Sequence, residues 1–253
     1  MCGRYASSRR PEDLIEEFEV VADRTPAPLA ADYNVAPTKE VYAVVERPPA
    51  KDSPDPPERQ LRTLTWGLVP SWAKDPSIGN RMINARMETV ADKPAYKRAF
   101  AVRRCLLPAD GYFEWYPTDR TTKAGKPVKQ PFFIRPADGG ILAMAGLYEI
   151  WRDPTLAEDD PGRFRWTCTV LTTQAEDSLG HIHDRMPLMV ERDRWSQWLD
   201  PRVAGELSLL VPAAPGSLEA YPVSTAVGNV RNNGPELVEP LPLEDVPLEG
   251  SPS

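Results

Sequence analysis

With 253 residues, 41% of them hydrophobic and 26% charged, the chain can build one large domain around a buried core. No apolar run approaches the ~18 residues needed to cross a bilayer, and the amino terminus lacks the basic and apolar regions of a signal peptide, so a cytoplasmic protein with no membrane partner is expected. A net charge of −7 argues against coating nucleic acid by bulk attraction, while three scattered cysteines and only two histidines, His181 and His183, suggest neither a disulfide framework nor a metal site.

Met1-Cys2-Gly3-Arg4-Tyr5 opens the chain. If Met1 is trimmed, Cys2 presents a 1,2-aminothiol, whose amine (pKa about 7.7–8.0) and thiol (about 8.5) both supply some reactive form near neutral pH. With an aldehyde such a pair closes a thiazolidine; with an amide or ester the thiolate attacks while the amine serves as base. The dipeptide alone leaves open that Cys2 is an accident of the start of the gene.

Pro11 to Phe18 predicts an amphipathic helix, with Pro in the first turn, acids near the positive end of the dipole, and Leu14, Phe18 and Val21 on one face. Strands are predicted at Val41–Val45 and Leu61–Leu68, separated by a Pro-rich surface loop from Pro48 to Pro57. From Trp72 to Arg104 the chain is locally basic, with Lys74, Arg81, Arg86, Lys93, Lys97, Arg98, Arg103 and Arg104 against Asp75, Glu88 and Asp92. Pro94 restricts helix there to two short pieces. Further strand character lies at Arg104–Tyr116, Pro131–Arg135, Ile141–Trp151 and Phe164–Thr173, and short helices are expected at Ala175–Gly180 and Asp193–Leu199. Few strands alternate with long helices, so the reading is an α+β fold. Its sheet is curled, mostly antiparallel and barrel-like, flanked by short helices, with a domain over 1–238 and a Pro-rich acidic tail, expected to be disordered, over 239–253.

Several residues could carry chemistry. By strand alternation Phe113 and Trp115 face one way, and Glu114 shares the other face with Tyr112 and Tyr116, where desolvation would raise its pKa into the range useful for proton transfer; a strand Glu facing water is the plain alternative. His183 lies on a predicted loop and suits acid–base work, though a solvent-exposed or backbone-bonded His would look the same. Asn84 and Arg86 are two apart and would offer donors to a sugar or phosphate, Trp72 could stack on an unpaired base, and the turn around Arg231 suits phosphate contact. Core packing for Trp72, an ion pair for Arg86 and a plain surface turn around Arg231 remain open, while Cys105 and Cys168 are expected to be inert core thiols.

Taken in order, Met1-Cys2-Gly3-Arg4, Tyr33-Asn34-Val35-Ala36-Pro37, Trp66 to Trp72, Ile83 to Thr89, Gly111 to Trp115, Ile182 to Pro187 and Val227 to Asn232 resemble the SOS-response-associated peptidase family. The resemblance implies a DNA-repair protein that recognises abasic sites in single-stranded DNA and crosslinks to them through Cys2; a monomer without a cofactor or metal is expected. By position it implies Cys2 as nucleophile, Asn84 and Glu114 as pocket residues, and His183 as the catalytic histidine. Arg4, Asn34, Trp72, Arg86 and Arg231 correspond to DNA- or pocket-contacting positions. Some relatives carry a second Trp where this chain has Ala73, which puts one stacking contact in doubt. Two rival readings are an N-terminal-nucleophile glutamine amidotransferase, whose binding set cannot be placed here, and a non-catalytic single-stranded DNA-binding module.

Overall fold

A computed structural model of the chain describes residues 2–48, 53–121, 124–125, 127–176, 179–180 and 182–242. His181, part of the loop after Pro48 and the tail from 243 on lie outside the described residues. In chain order the strands and helices are β1 (Tyr5–Ser7), α1 (Pro11–Glu17), β2 (Ala22–Asp23), β3 (Asp32–Val35), β4 (Glu40–Arg47), β5 (Glu58–Trp66), β6 (Asn84–Arg86), α2 (Lys97–Val102), β7 (Arg104–Ala109), β8 (Gly111–Thr121), β9 (Pro127–Pro136), β10 (Leu142–Arg152), β11 (Phe164–Gln174), β12 (Arg185–Pro187), α3 (Trp195–Leu199) and β13 (Leu218–Pro222).

Strands β5, β4, β7, β10 and β11 pair antiparallel in that order, and β11 then pairs parallel with β5, so the sheet closes on itself. A ring of five strands cannot alternate direction all the way round, and the parallel seam, with Thr167 opposite Thr65 and Cys168 opposite Trp66, is where the odd strand is absorbed. Alternation then sorts the side chains. Val41, Ala43, Val45, Leu64, Trp66, Cys105, Leu107, Met144, Cys168 and Val170 form one buried cluster inside the ring. Tyr42, Val44, Leu61, Leu106, Ala145 and Leu147 face outward into a second cluster beneath Leu14 and Phe18 of the α1 region, Phe100 of α2, and Trp195 and Trp198 of α3. Cys105 and Cys168 are core thiols, as expected.

A second sheet, ordered β13-β9-β8-β1-β3, contributes Tyr5, Tyr112 and Ile134 to the inner cluster and so covers the ring on one side. Its other face, with Phe113, Phe133, Val223, Val227 and Leu237, forms a smaller cluster.

The predicted strand from Arg104 to Tyr116 is two strands in two sheets. The chain turns at Asp110, whose carboxylate accepts the Ser8 amide at 2.6 Å. Gly111 permits the turn because a Cβ there would stand 2.4 Å from the Phe133 ring and 2.6 Å from the Ile134 carbonyl oxygen. Val21 departs from its assigned helix face: α1 ends at Glu17, Glu19 adopts φ 53°, and Val21 emerges 71% exposed while Val20 is buried instead. The described part of the Ala175–Gly180 stretch is a turn, closed by the Gly180 amide donating to the Glu176 carbonyl. Folded chain also continues past 238, since Pro240 bridges to Val223 and the Leu241 amide donates to the Pro222 carbonyl.

Candidate active site and nucleic-acid interface

Strand β1 is inserted between β8 and β3, with Tyr5 opposite both Tyr112 and Val35. This insertion carries the start of the chain into the core, where Cys2 is fully buried among the inner cluster. Continuing the β1–β8 register sets Glu114 opposite Gly3, beside Cys2. From the far side, the Asn84 amide nitrogen donates to the Cys2 carbonyl oxygen at 2.7 Å. Asn84 is held in turn by the parallel pairing of β6 with β11, Asn84 opposite Val170, and by the Tyr96 hydroxyl, which donates to the Asn84 carbonyl at 3.3 Å. Its side-chain oxygen is buried and accepts no hydrogen bond from the described residues, so it can accept one from a group entering the site.

Glu114 is only 4% exposed, and Tyr112 and Tyr116 share its face as alternation predicts. Burial pushes its carboxyl from 4.5 up to about 7, the positive amino terminus opposing this. Burial also pushes the Cys2 thiol far above the usual range, with the Glu114 charge adding to the effect. The thiol points toward the Arg4 carbonyl oxygen 4.0 Å away, too far for a firm hydrogen bond.

His183 is half-buried, and its pKa is lowered by burial and then by the positive amino terminus. Its Nδ1 accepts the Arg185 amide at 3.0 Å while also lying 3.0 Å from the Asp184 carboxylate. The two contacts demand opposite protonation of Nδ1. The lowered pKa and the fixed amide donor favour a neutral ring with its proton on Nε2. Arg185 is itself clamped: its guanidinium meets Glu88 in a two-pronged pair at 2.6 and 3.0 Å and donates to the Thr172 carbonyl at 2.6 Å. Glu88 and Arg185 stand inside motifs visible in the sequence, but a separation of 97 positions hid the clamp.

The five positions assigned to DNA contact divide. Trp72 is 61% exposed, and Arg86 and Arg231 are exposed, so all three can meet a ligand. Arg4 is half-buried, donates to Asn34 Oδ1 at 2.7 Å and to the Val227 carbonyl at 2.9 Å, and lies over the Trp115 ring. Asn34 is fully buried, and its amide nitrogen faces the carbonyls of Val227, Asn229 and Asn232 at 3.2, 3.0 and 2.9 Å. It anchors the loop that presents Arg231 and offers no surface of its own.

Of the basic run, Arg103 pairs with Glu149 and Arg104 is buried, which leaves Lys74, Arg81, Arg86, Lys93, Lys97 and Arg98 exposed and without ion pairs among the described residues. Ala73 is buried against Trp151, whose indole N–H donates to the Ala73 carbonyl at 2.7 Å. Among the described residues no group of three or more His, Cys, Asp or Glu could hold a metal ion, and no helix is long and apolar enough to cross a membrane.

Residues 1–230 match the family model described as SOS response associated peptidase. Abasic site processing protein YoqW of Bacillus subtilis is 36% identical over 242 residues, covering 94% of this chain and 99% of its own length. Abasic site processing protein YedK of Escherichia coli is 34% identical over 250 residues, covering 95% and 100%. A crystal structure of a Bacteroides thetaiotaomicron protein superposes with a TM-score of 0.76 at 22% identity over 95% of this chain and 100% of that one, a likeness of fold.

Proposed function

The chain belongs to the SOS response associated peptidase family, and on that footing we propose that it senses abasic sites in single-stranded DNA and captures them covalently through Cys2 once Met1 is removed. The observation that supports this reading best is the convergence, on one buried aminothiol position, of a carboxyl tuned to about 7 and an amide that grips the Cys2 carbonyl.

An abasic deoxyribose interconverts between a closed hemiacetal and an open aldehyde. His183, neutral with its proton on Nε2, is suited to move a proton as the ring opens. The Cys2 amine adds to the aldehyde carbon, and protonated Glu114 delivers a proton to the resulting hydroxyl, which leaves as water while the C=N bond forms. Glu114 is then a carboxylate beside a thiol whose proton burial holds tightly. It takes that proton as sulfur adds to the carbon of the N-protonated imine, whose C=N electron pair returns to nitrogen, which leaves a neutral thiazolidine and restores protonated Glu114. One water is lost and no oxidant is consumed. Asn84 fixes Cys2 through its carbonyl, keeping amine and sulfur on the same side of the incoming carbon, and its vacant oxygen can accept from the sugar or the amine. Removal of Met1 by the protein itself, and weak strand cleavage by β-elimination from the imine, belong to the same reading, because the imine acidifies the neighbouring sugar carbon. Trp72, Arg86 and Arg231 hold the strand, with Arg4 and Asn34 supporting the pocket wall.

The test mixes Met1-processed protein with single-stranded DNA carrying one abasic site and resolves the mixture on a denaturing gel. A shifted band is expected from wild type and none from Cys2→Ala, with a less durable adduct from Cys2→Ser. If wild type leaves the oligonucleotide at its free position, the proposal fails; glutamine hydrolysis by the same preparation would favour the amidotransferase reading instead.

A further inference from the structure

The far end of the barrel carries two cations that the rest of the fold does not use. Arg47 closes β4 and Arg62 lies midway along β5, opposite Ala43, so both continue the inward-facing series of Val41, Ala43 and Val45. Trp166, near the start of β11, lies between them and the core: the Arg62 guanidinium carbon stands 4.3 Å from its ring centroid and that of Arg47 5.0 Å. Tyr148 stacks on the same indole at 5.6 Å with an interplanar angle of 13°. Four residues of β11, roughly 13 Å of strand, separate Trp166 from Val170, which pairs with Asn84 at the Cys2 site.

Among the described residues the hydrogen-bond partners of these two arginines are neutral side chains. Arg62 Nε donates to Gln60 Oε1 at 2.8 Å, and Arg47 Nη1 reaches the Tyr148 hydroxyl at 3.4 Å. Glu58, opposite Arg47 in register, is held instead by Arg24 and by the Gln60 amide, each at 3.0 Å. Among the described residues every other arginine that is buried or half-buried is held by a carboxylate or by backbone carbonyls: Arg59 by Glu46, Arg103 by Glu149, Arg163 by Glu158, Arg185 by Glu88, and Arg4, Arg104 and Arg194 by main-chain oxygens. Two like charges sharing one indole, with only Glu58, itself engaged by Arg24, acting on Arg62 as a counter-charge, are electrostatically unfavourable unless something negative joins them. Burial, then repulsion from Arg47, accordingly lowers the proton affinity of Arg62.

The geometry points to a phosphate-binding site at this mouth of the barrel, in which Arg47 and Arg62, each lying over the Trp166 ring, grip a phosphomonoester or phosphodiester through their remaining N–H groups. A guanidinium stacked on an aromatic face keeps its in-plane donors available, and that fork matches the oxygens of a phosphate. Because the indole already carries a stacked Tyr148 and two guanidiniums, the site selects for the anion and not for a stacked base. Its existence does not depend on the reading of the Cys2 site.

The test titrates inorganic pyrophosphate into the full chain at low salt by calorimetry, then repeats the titration with unmodified dT12 present. Saturable pyrophosphate binding is expected, weakened about tenfold or more in Arg47→Met/Arg62→Met, with Arg62→Lys, which keeps the charge but loses the fork, falling between. Each variant should keep the wild-type near-UV circular dichroism and a cooperative thermal transition, which establishes that the fold is intact. Displacement by dT12 assigns the site to backbone phosphates of nucleic acid, and lack of displacement assigns it to a small phosphate-bearing molecule; both uphold the site. It is overturned if wild type binds no pyrophosphate, or if folded Arg62→Lys and the double variant bind it as wild type does.

Discussion

An ordinary carboxyl would be ionised throughout the neutral range and could only accept protons, but Glu114, held near 7 by burial, exists in both forms at the pH where it works. The proposed sequence uses the acid form to expel water and the base form to activate sulfur. The crosslinking rate should therefore pass through a maximum near pH 7, and Glu114→Gln should lower it and flatten its pH dependence, as read from initial rates on a denaturing gel between pH 5.5 and 8.5. The same shift has a cost in stability. The unfolded chain releases this proton near 4.5 and the folded chain near 7, so the folded state holds one more proton between those values and stability falls as pH rises through that window. The loss above pH 7 is about 3 kcal/mol. Glu114→Gln should therefore raise the melting temperature relative to wild type at pH 8 and leave it unchanged at pH 4; equal melting temperatures at both would mean that Glu114 is not desolvated as described.

The three α-helices have seven, six and five residues, well short of the ~12–15 at which an isolated helix becomes even marginal in water. Tertiary contacts hold them, and for α2 and α3 the main tie is Arg104, whose guanidinium donates to the carbonyls of Phe100 and Ala101 on one side and of Trp198, Asp200 and Val203 on the other. Arg104→Met keeps much of the apolar stem but strands five carbonyl acceptors, so a loss on the order of 3–5 kcal/mol is expected. It should appear as a lower urea midpoint, with α2 and α3 losing hydrogen-exchange protection together. In the sequence Arg104 was one more member of a basic run, because nothing local distinguishes a solvated cation from one that gathers carbonyls nearly a hundred residues away. Elements with a clear period were legible: β4, β9, β10 and β11 fell where alternation put them, Leu14 and Phe18 faced the core, and the aromatic alternation around Glu114 correctly gave its buried face. What failed depended on backbone turns or long-range pairing. Val21 was carried past a helix end set by Glu19, and one strand hid the corner at Asp110; the carbonyls around residue 230 that hold Asn34 were likewise out of reach of any local pattern.

For the whole molecule, a chain of net charge −7 must meet a polyanion, and the distribution of charge decides how. With Arg103 and Arg104 bound internally, the basic segment still leaves six exposed cations without ion pairs among the described residues, and Arg231 stands on the loop that Asn34 anchors. Local attraction of this size, opposed by the overall charge, gives loose binding, and in the proposed function the covalent bond at Cys2 supplies the durability that electrostatics lacks. The noncovalent stage can be isolated with Cys2→Ala and followed by fluorescence anisotropy against an abasic oligonucleotide at increasing salt. For single strands each neutralised phosphate contributes about −0.7 to the slope of log K against log salt, so three contacts would give a slope of about −2. Arg86→Ala and Arg231→Ala should each bring the slope closer to zero by about 0.7. Arg202→Ala, which removes a cation already paired with Asp200 at 2.8 Å, should leave it unchanged. A slope near zero before any of these substitutions would mean that the strand is held by something other than this face, and Arg86 and Arg231 would then have no part in positioning the sugar over Cys2.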